Sequence, residues 1–153
     1  MAQDNKRKDT IQEENRKKTI KMKVLPNSIE SEQAVIACCL IDEEAPLYIT
    51  SALSEDDFYA EAHKHIFGAI LSLYQRSKPI DFVTLVDELE NTAMLDVVGG
   101  IEYITNLTNM IPSAANYKSY VEIVKRTSVL RQIISAGQKI IENAYVSEDK
   151  DES

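Results

Sequence analysis

The sequence predicts an all-α protein, a small helical globule followed by a long helical arm. Three observations carry that prediction. Four glycines and four prolines in 153 residues are too few for the many tight turns of a sandwich or barrel. Apolar residues recur at three- and four-residue intervals from Ile29 onward, the period of a helix buried along one face. The stretch after Pro112 runs for more than thirty residues without another proline and carries a single long apolar stripe.

Taken in order, residues 1–24 are polar, lack a periodic apolar face and read as a flexible basic tail. Pro26-Asn27-Ser28 then opens a helix, with Asn27 or Ser28 as cap and Glu30 and Glu32 in the first turn, where the helix dipole favours acids. Ile29, Val35, Ile36, Cys39 and Leu40 follow at helical spacing, and Asp42-Glu43-Glu44 closes the element. A short helix covers Ala45 to Leu53 with Pro46 near its first turn. Ser54 with Asp57 marks a new start, and Leu53 and Phe58 are spaced for a hydrophobic staple. The helix over Tyr59 to Gln75 places Ile66, Phe67, Ile70, Leu71 and Tyr74 on one face. Asp81 caps the next, with Phe82, Leu85, Val86 and Leu89 in register. Gly99-Gly100 opens a helix carrying Ile101, Ile104 and Leu107, which Pro112 stops.

Beyond Ser113 the apolar stripe runs through Tyr117, Tyr120, Val121, Val124, Val129, Ile133, Ile140 and Ile141. A small domain cannot cover that much helix alone, so the arm calls for a partner helix. The expected organisation is a tail over 1–24, a globule over 25–111, an arm over 112–146 and the start of a linker over 147–153.

The net charge of −8 is unevenly spread. Residues 1–25 hold eight Lys/Arg against four acids, whereas the rest holds nine against twenty-one. An acidic body is a poor match for a phosphate backbone, which points to little direct DNA binding. The basic leader is followed by no apolar signal region, and nothing approaches a membrane span. Two cysteines give no disulfide framework, which suits a reducing, cytoplasmic setting.

Motifs for chemistry are missing. Cys38 and Cys39 are adjacent, so on a helix they diverge by about 100° and cannot share a metal; they read as small core residues. His63 and His65 diverge likewise, leaving Glu61 with His65 as a lone i, i+4 pair. Glu55-Asp56-Asp57 lacks the spacing and glycine of a calcium loop. No glycine precedes a Lys-Ser/Thr pair as a phosphate loop requires, and no GxSxG elbow occurs. The residues therefore predict no catalytic, cofactor-binding or metal site, and a binding or assembly module.

Five blocks in order, "LPNSIESEQAVIACCLID", "EDDFYAEAHKHIFGAI", "KPIDFVTLVDELE", "VVGGIEYITNL" and "IPSAANYKSYVEIVKRTSVLRQII", give the chain a close resemblance to the N-terminal domain of the bacterial replicative DNA helicase, DnaB type. The resemblance spans about Leu25 to Tyr145. It departs from the family at Ala37-Cys38-Cys39, where glycine or another small residue is usual. Members of the family are hexameric, ATP-driven helicases whose motor is a separate C-terminal domain with a P-loop. The resemblance implies no cofactor in this stretch, with ATP and magnesium belonging to the motor. It also implies that the arm over 112–146 is a helical hairpin, a collar built as a trimer of dimers, contact with the primase C-terminal domain, and a helicase loader as further partner. Matching positions imply subunit pairing through Tyr117, Tyr120, Val124, Val129, Leu130, Ile133 and Ile134, and primase contact at Glu30, Tyr103, Ile134 and Ile140. Two readings compete: a stand-alone adaptor or loader that binds a helicase, and metal-dependent hydrolysis at Glu61, His63 and His65.

Overall fold

The structure, a computed structural model, describes residues 2–22 and 24–151. Its organising element is the helix that begins at Ser28, where the side chain accepts a hydrogen bond from Ser31 N–H at 3.3 Å. We number the helices in chain order: α1 Ala2–Met22, α2 Ile29–Ile41, α3 Ala45–Ala52, α4 Glu61–Gln75, α5 Phe82–Asn91, α6 Gly100–Asn109 and α7 Tyr117–Asp151. Among the described residues there is no strand, as the glycine and proline count predicts. From Ala34 to Leu40 every residue of α2 is buried. A helix that is apolar all round must lie inside the protein, and α2 packs on α3, α4, α6 and α7 at once.

The connections follow from local chemistry. Asp42 ends α2 and starts α3, its Oδ1 accepting from the N–H groups of Glu44 at 2.7 Å and Ala45 at 3.0 Å. Ser54 and Asp57 form a reciprocal capping box around a single 3₁₀ turn, Glu55–Asp57. The flanking Leu53 and Phe58 are both buried, and Phe58 lies against Phe67 of α4 with ring centroids 4.8 Å apart. Asp81 and Thr84 cap α5 in the same reciprocal way. Before α6 the backbone turns sharply at Gly99, where φ is +112° and an added Cβ would lie 2.8 Å from Tyr103 Cβ. Only glycine meets both conditions.

Four expectations are corrected. The stretch expected as a flexible tail carries α1 instead; residues 1 and 23 of that stretch lie outside the described residues. Glycine and proline are absent from Ala2–Met22, and Lys, Arg, Gln and Glu are common, so propensity sustains a helix with no apolar face. Residues 2–16 are exposed throughout. The arm, expected as a hairpin over 112–146, is the single continuous helix α7 of 35 residues. Gly137 lacks the neighbouring proline or turn residues that would break it. Residues 147–151, expected as the start of a linker, continue α7, and residues 152 and 153 lie outside the described residues. Packing also moves the globule's edge. Val121, Val124, Thr127 and Ser128 of α7 are buried, so the globule extends well past residue 112.

Candidate functional site

Three features could interact with something outside the fold: a buried polar chain beneath the α2–α6 face, a clamp at the root of α7, and the free length of α7. The polar chain starts at Glu32, which is wholly buried in the first turn of α2. α4 begins at Ala60 with no side-chain cap of its own, and Glu32 supplies the need. Its carboxylate accepts from Tyr59 N–H at 2.8 Å and Ala60 N–H at 3.2 Å. It also lies 2.8 Å from Nδ1 of the buried His63. Nε2 of the same ring lies 2.6 Å from the Tyr103 hydroxyl, which in turn accepts from Gln33 Nε2 at 3.2 Å. A carboxylate only accepts, so a neutral His63 carries its proton on Nδ1, and Nε2 accepts from Tyr103; the tautomer is assigned from the partners. Among the described residues no buried side-chain polar atom is left without a hydrogen-bond partner, which is the condition for burying one.

The clamp is built on Asp57. Its carboxylate accepts from Ser54 N–H at 2.8 Å, Ser128 Oγ at 2.8 Å and Lys125 Nζ at 3.2 Å. Burial works to raise its pKa, but the Ser54 amide, the Ser128 hydroxyl and the Lys125 ammonium outweigh that and hold it below the ordinary value. One turn further along, Arg131 donates to the carbonyls of Pro26 and Asp57, each at 2.8 Å, and lies over the Tyr59 ring. The two residues fasten the root of α7 to the start of α2 and to the 3₁₀ turn. Past them the helix runs free, with Ile133, Ile140, Ile141 and Tyr145 each more than half exposed.

The positions implied for primase contact divide into two places. Glu30 is exposed on α2, one turn before Gln33, which bonds to the half-buried Tyr103; these two therefore share the α2–α6 face. Ile134 and Ile140 lie on the free arm, 36% and 70% exposed. The pairing positions divide as well. Val129, Leu130 and Ile133 are exposed, whereas Val124 is fully buried in this chain's own core and offers no surface to a partner. Tyr117 and Tyr120 pack partly against that core, and Tyr117 meets Tyr48 edge-on at 5.5 Å beneath Lys118.

The chemistry considered for Glu61, His63 and His65 does not assemble. Both ring nitrogens of His63 face partners within the core, and Glu61 pairs with Lys64 at 2.9 Å. His65 lines a different cleft, with Glu55 and Ser72. Among the described residues no cluster of His, Cys, Asp or Glu is arranged to hold a metal ion. Cys38 and Cys39 are buried, and burial pushes both thiols up, Cys38 to about 11 with help from Asp42. Thiols so placed are poor nucleophiles at neutral pH. Sequence reasoning assigned Glu32 only to the helix dipole and missed its bonds to residues 27 to 31 positions away.

The described residues form a helical globule bearing a long helix with an uncovered apolar face. Comparison with known proteins agrees. The family described as DnaB-like helicase N-terminal domain matches residues 24–126, and the chain belongs to that family. It is 40% identical over 125 residues to the replicative DNA helicase DnaC of Bacillus subtilis, covering 82% of this chain and 28% of that protein. It is 38% identical over 128 residues to the replicative DNA helicase DnaB of Geobacillus stearothermophilus, covering 84% and 28%. The chain thus spans little more than a quarter of the length of these curated relatives. The crystal structure of the N-terminal domain of DnaB helicase from Mycobacterium tuberculosis superposes with a TM-score of 0.79 at 33% identity, covering 82% of this chain and 89% of that one. A DnaB-like replicative helicase whose structure was reported with its interactions with primase gives 0.66 at 27% identity, covering 76% and 27%. Among the described residues no helix is long and apolar enough to cross a membrane.

Proposed function

We propose that this chain is the collar domain of a replicative helicase, which pairs with copies of itself and docks the C-terminal domain of primase. The observation that carries the reading is the free length of α7. Its side chains from Val129 to Val146 include eight large apolar residues at least a third exposed, on a helix whose root is clamped to the globule by Asp57 and Arg131. Such a surface is stable in water only when covered, and burying it yields roughly 25 cal/mol per Å² of apolar area before the cost of association. Val129, Leu130, Ile133 and Ile134 serve pairing, with Tyr117 and Tyr120 steadying the root of the arm. Glu30 and Tyr103 on the globule, and Ile134 and Ile140 on the arm, serve primase contact. The acidic body favours a basic patch on that partner and disfavours DNA. ATP and magnesium act at a separate motor domain of the parent protein, in the cytoplasm, and a helicase loader is a further partner.

Titration of the protein with a primase C-terminal domain tests the docking role. Glu30→Arg reverses an exposed charge and leaves the core intact; it should weaken binding by about 1–2 kcal/mol, the range of a modest interface residue. Ile140→Asp should do the same from the arm. Wild-type affinity in both variants would remove these two residues from the docking surface, and no binding by the wild type would remove docking from the proposal.

A further inference from the structure

Helix α1 takes no part in the function proposed above, and its charge is laid unevenly along it. Residues 2–15 hold three cations, Lys6, Arg7 and Lys8, against four acids, Asp4, Asp9, Glu13 and Glu14. The next eight residues, Arg16-Lys17-Lys18-Thr19-Ile20-Lys21-Met22-Lys23, hold five cations and no acid. The whole excess of the leader therefore sits in one short run. It stands ahead of a body that carries nine cations against twenty-one acids.

Local chemistry accounts for only part of this run. Cations near the end of a helix complement its dipole, and Glu13 and Glu14 stand one turn ahead of Lys17 and Lys18, as surface pairs do. Two acids do not neutralise five cations, and Lys21 and Lys23 have no acid within four positions. The family match begins at residue 24, directly after the run. The run joins the globule at a fixed point, since Arg131 donates to the Pro26 carbonyl at 2.8 Å and holds it beside the root of α7. Arg126 is exposed on that root, and so are the acids Glu30, four positions after Pro26, and Asp56, next to Asp57. The junction is mixed in charge, and the surplus belongs to the leader itself.

Composition decides what such a run attracts. An anionic membrane surface takes a basic helix that also buries an apolar face, and α1 has none. Single-stranded nucleic acid is held on aromatic rings where bases stack, and residues 1–25 contain no Phe, Tyr or Trp. A duplex asks only for cations. It presents about one negative charge per 1.7 Å of its axis, far more densely than a protein surface presents carboxylates, and its major groove admits a helix. We infer that Arg16, Lys17, Lys18 and Lys21, in the last two turns of α1, form a site for the phosphate backbone of duplex DNA. The contact positions the chain on DNA without reading its sequence, and it is separate from the acidic body. Four neutralised phosphates give a slope of log affinity on log salt of about −3.6.

Fluorescence anisotropy of a short labelled duplex, titrated with the intact chain between about 50 and 200 mM salt, tests the site. The wild type should bind with that slope. Lys17→Gln, Lys18→Gln and Lys21→Gln combined keep good helix formers in place and should flatten the slope by about 2.7. The corresponding glutamate variant should lose at least about tenfold in affinity at the low-salt end while the globule melts as in the wild type. A single strand of the same length should bind more weakly, with a slope of about −2.8. No duplex binding by the wild type at low salt, or wild-type affinity and slope in the glutamine variant, would overturn the site. Tighter binding of the single strand would overturn the assignment to duplex. Displacement of the duplex by polyglutamate at equal charge would overturn it too, because the run would then accept carboxylates as readily as phosphates. None of these outcomes bears on the pairing or the docking proposed above.

Discussion

Glu32 shows how a single residue carries two tasks. In sequence it is an acid in the first turn of α2, which the helix dipole explains fully. In the fold it caps α4, bonds His63 and so fixes Tyr103 of α6. Nothing local to Glu32 signals partners some thirty positions away, which is why this part of the site was illegible beforehand. Tyr103, by contrast, was singled out through the family resemblance, and the structure adds that its hydroxyl is already engaged. Glu32→Ala would leave two backbone N–H groups and His63 without an acceptor, and should lower stability by about 3–5 kcal/mol in chemical denaturation. Tyr103→Phe removes one hydroxyl and leaves His63 Nε2 unpaired, for a cost of about 1–3 kcal/mol. A loss for Tyr103→Phe as large as that for Glu32→Ala would contradict the ordering of the chain. Gly99→Ala meets positive φ and the Tyr103 side chain together, and its melting temperature should fall by several degrees, the shift of a loss of about 1–3 kcal/mol.

At the scale of elements, most of the globule was legible. Ser28, Asp81, the Ser54–Asp57 box and the Leu53–Phe58 pair act where their spacing indicates, because capping is a contact between near neighbours. Two elements were misread for opposite reasons. α1 has propensity without periodicity, so a search for apolar faces passes over it. The supposed hairpin has periodicity without a turn, so α7 continues through Gly137. The clamp joining α7 to the 3₁₀ turn spans about seventy residues and leaves no local trace. It does make a pH prediction. The folded pKa of Asp57 is held down, so its contribution is complete above the unfolded value of about 3.9 and is lost as pH falls through the lower folded value. Denaturation midpoints followed from pH 7 to pH 3 should therefore drop for the wild type and drop less for Asp57→Asn. Parallel curves would show that the clamp does not respond to acid.

For the whole molecule, function lies on surfaces left over once the core is satisfied. α2 uses all its sides within the fold from Ala34 to Leu40 and keeps Glu30 exposed, and α7 uses one side at its root and leaves the remainder of its length uncovered. The family assignment and the uncovered arm support the proposal that this domain assembles and docks. Sedimentation equilibrium over a wide concentration range tests that claim most directly. The wild type should self-associate reversibly, and Ile133→Glu, which sets a charge in the middle of the stripe, should be monomeric with unchanged helical content. A wild type that stays monomeric at every concentration, or an Ile133→Glu variant that associates equally well, would contradict the account.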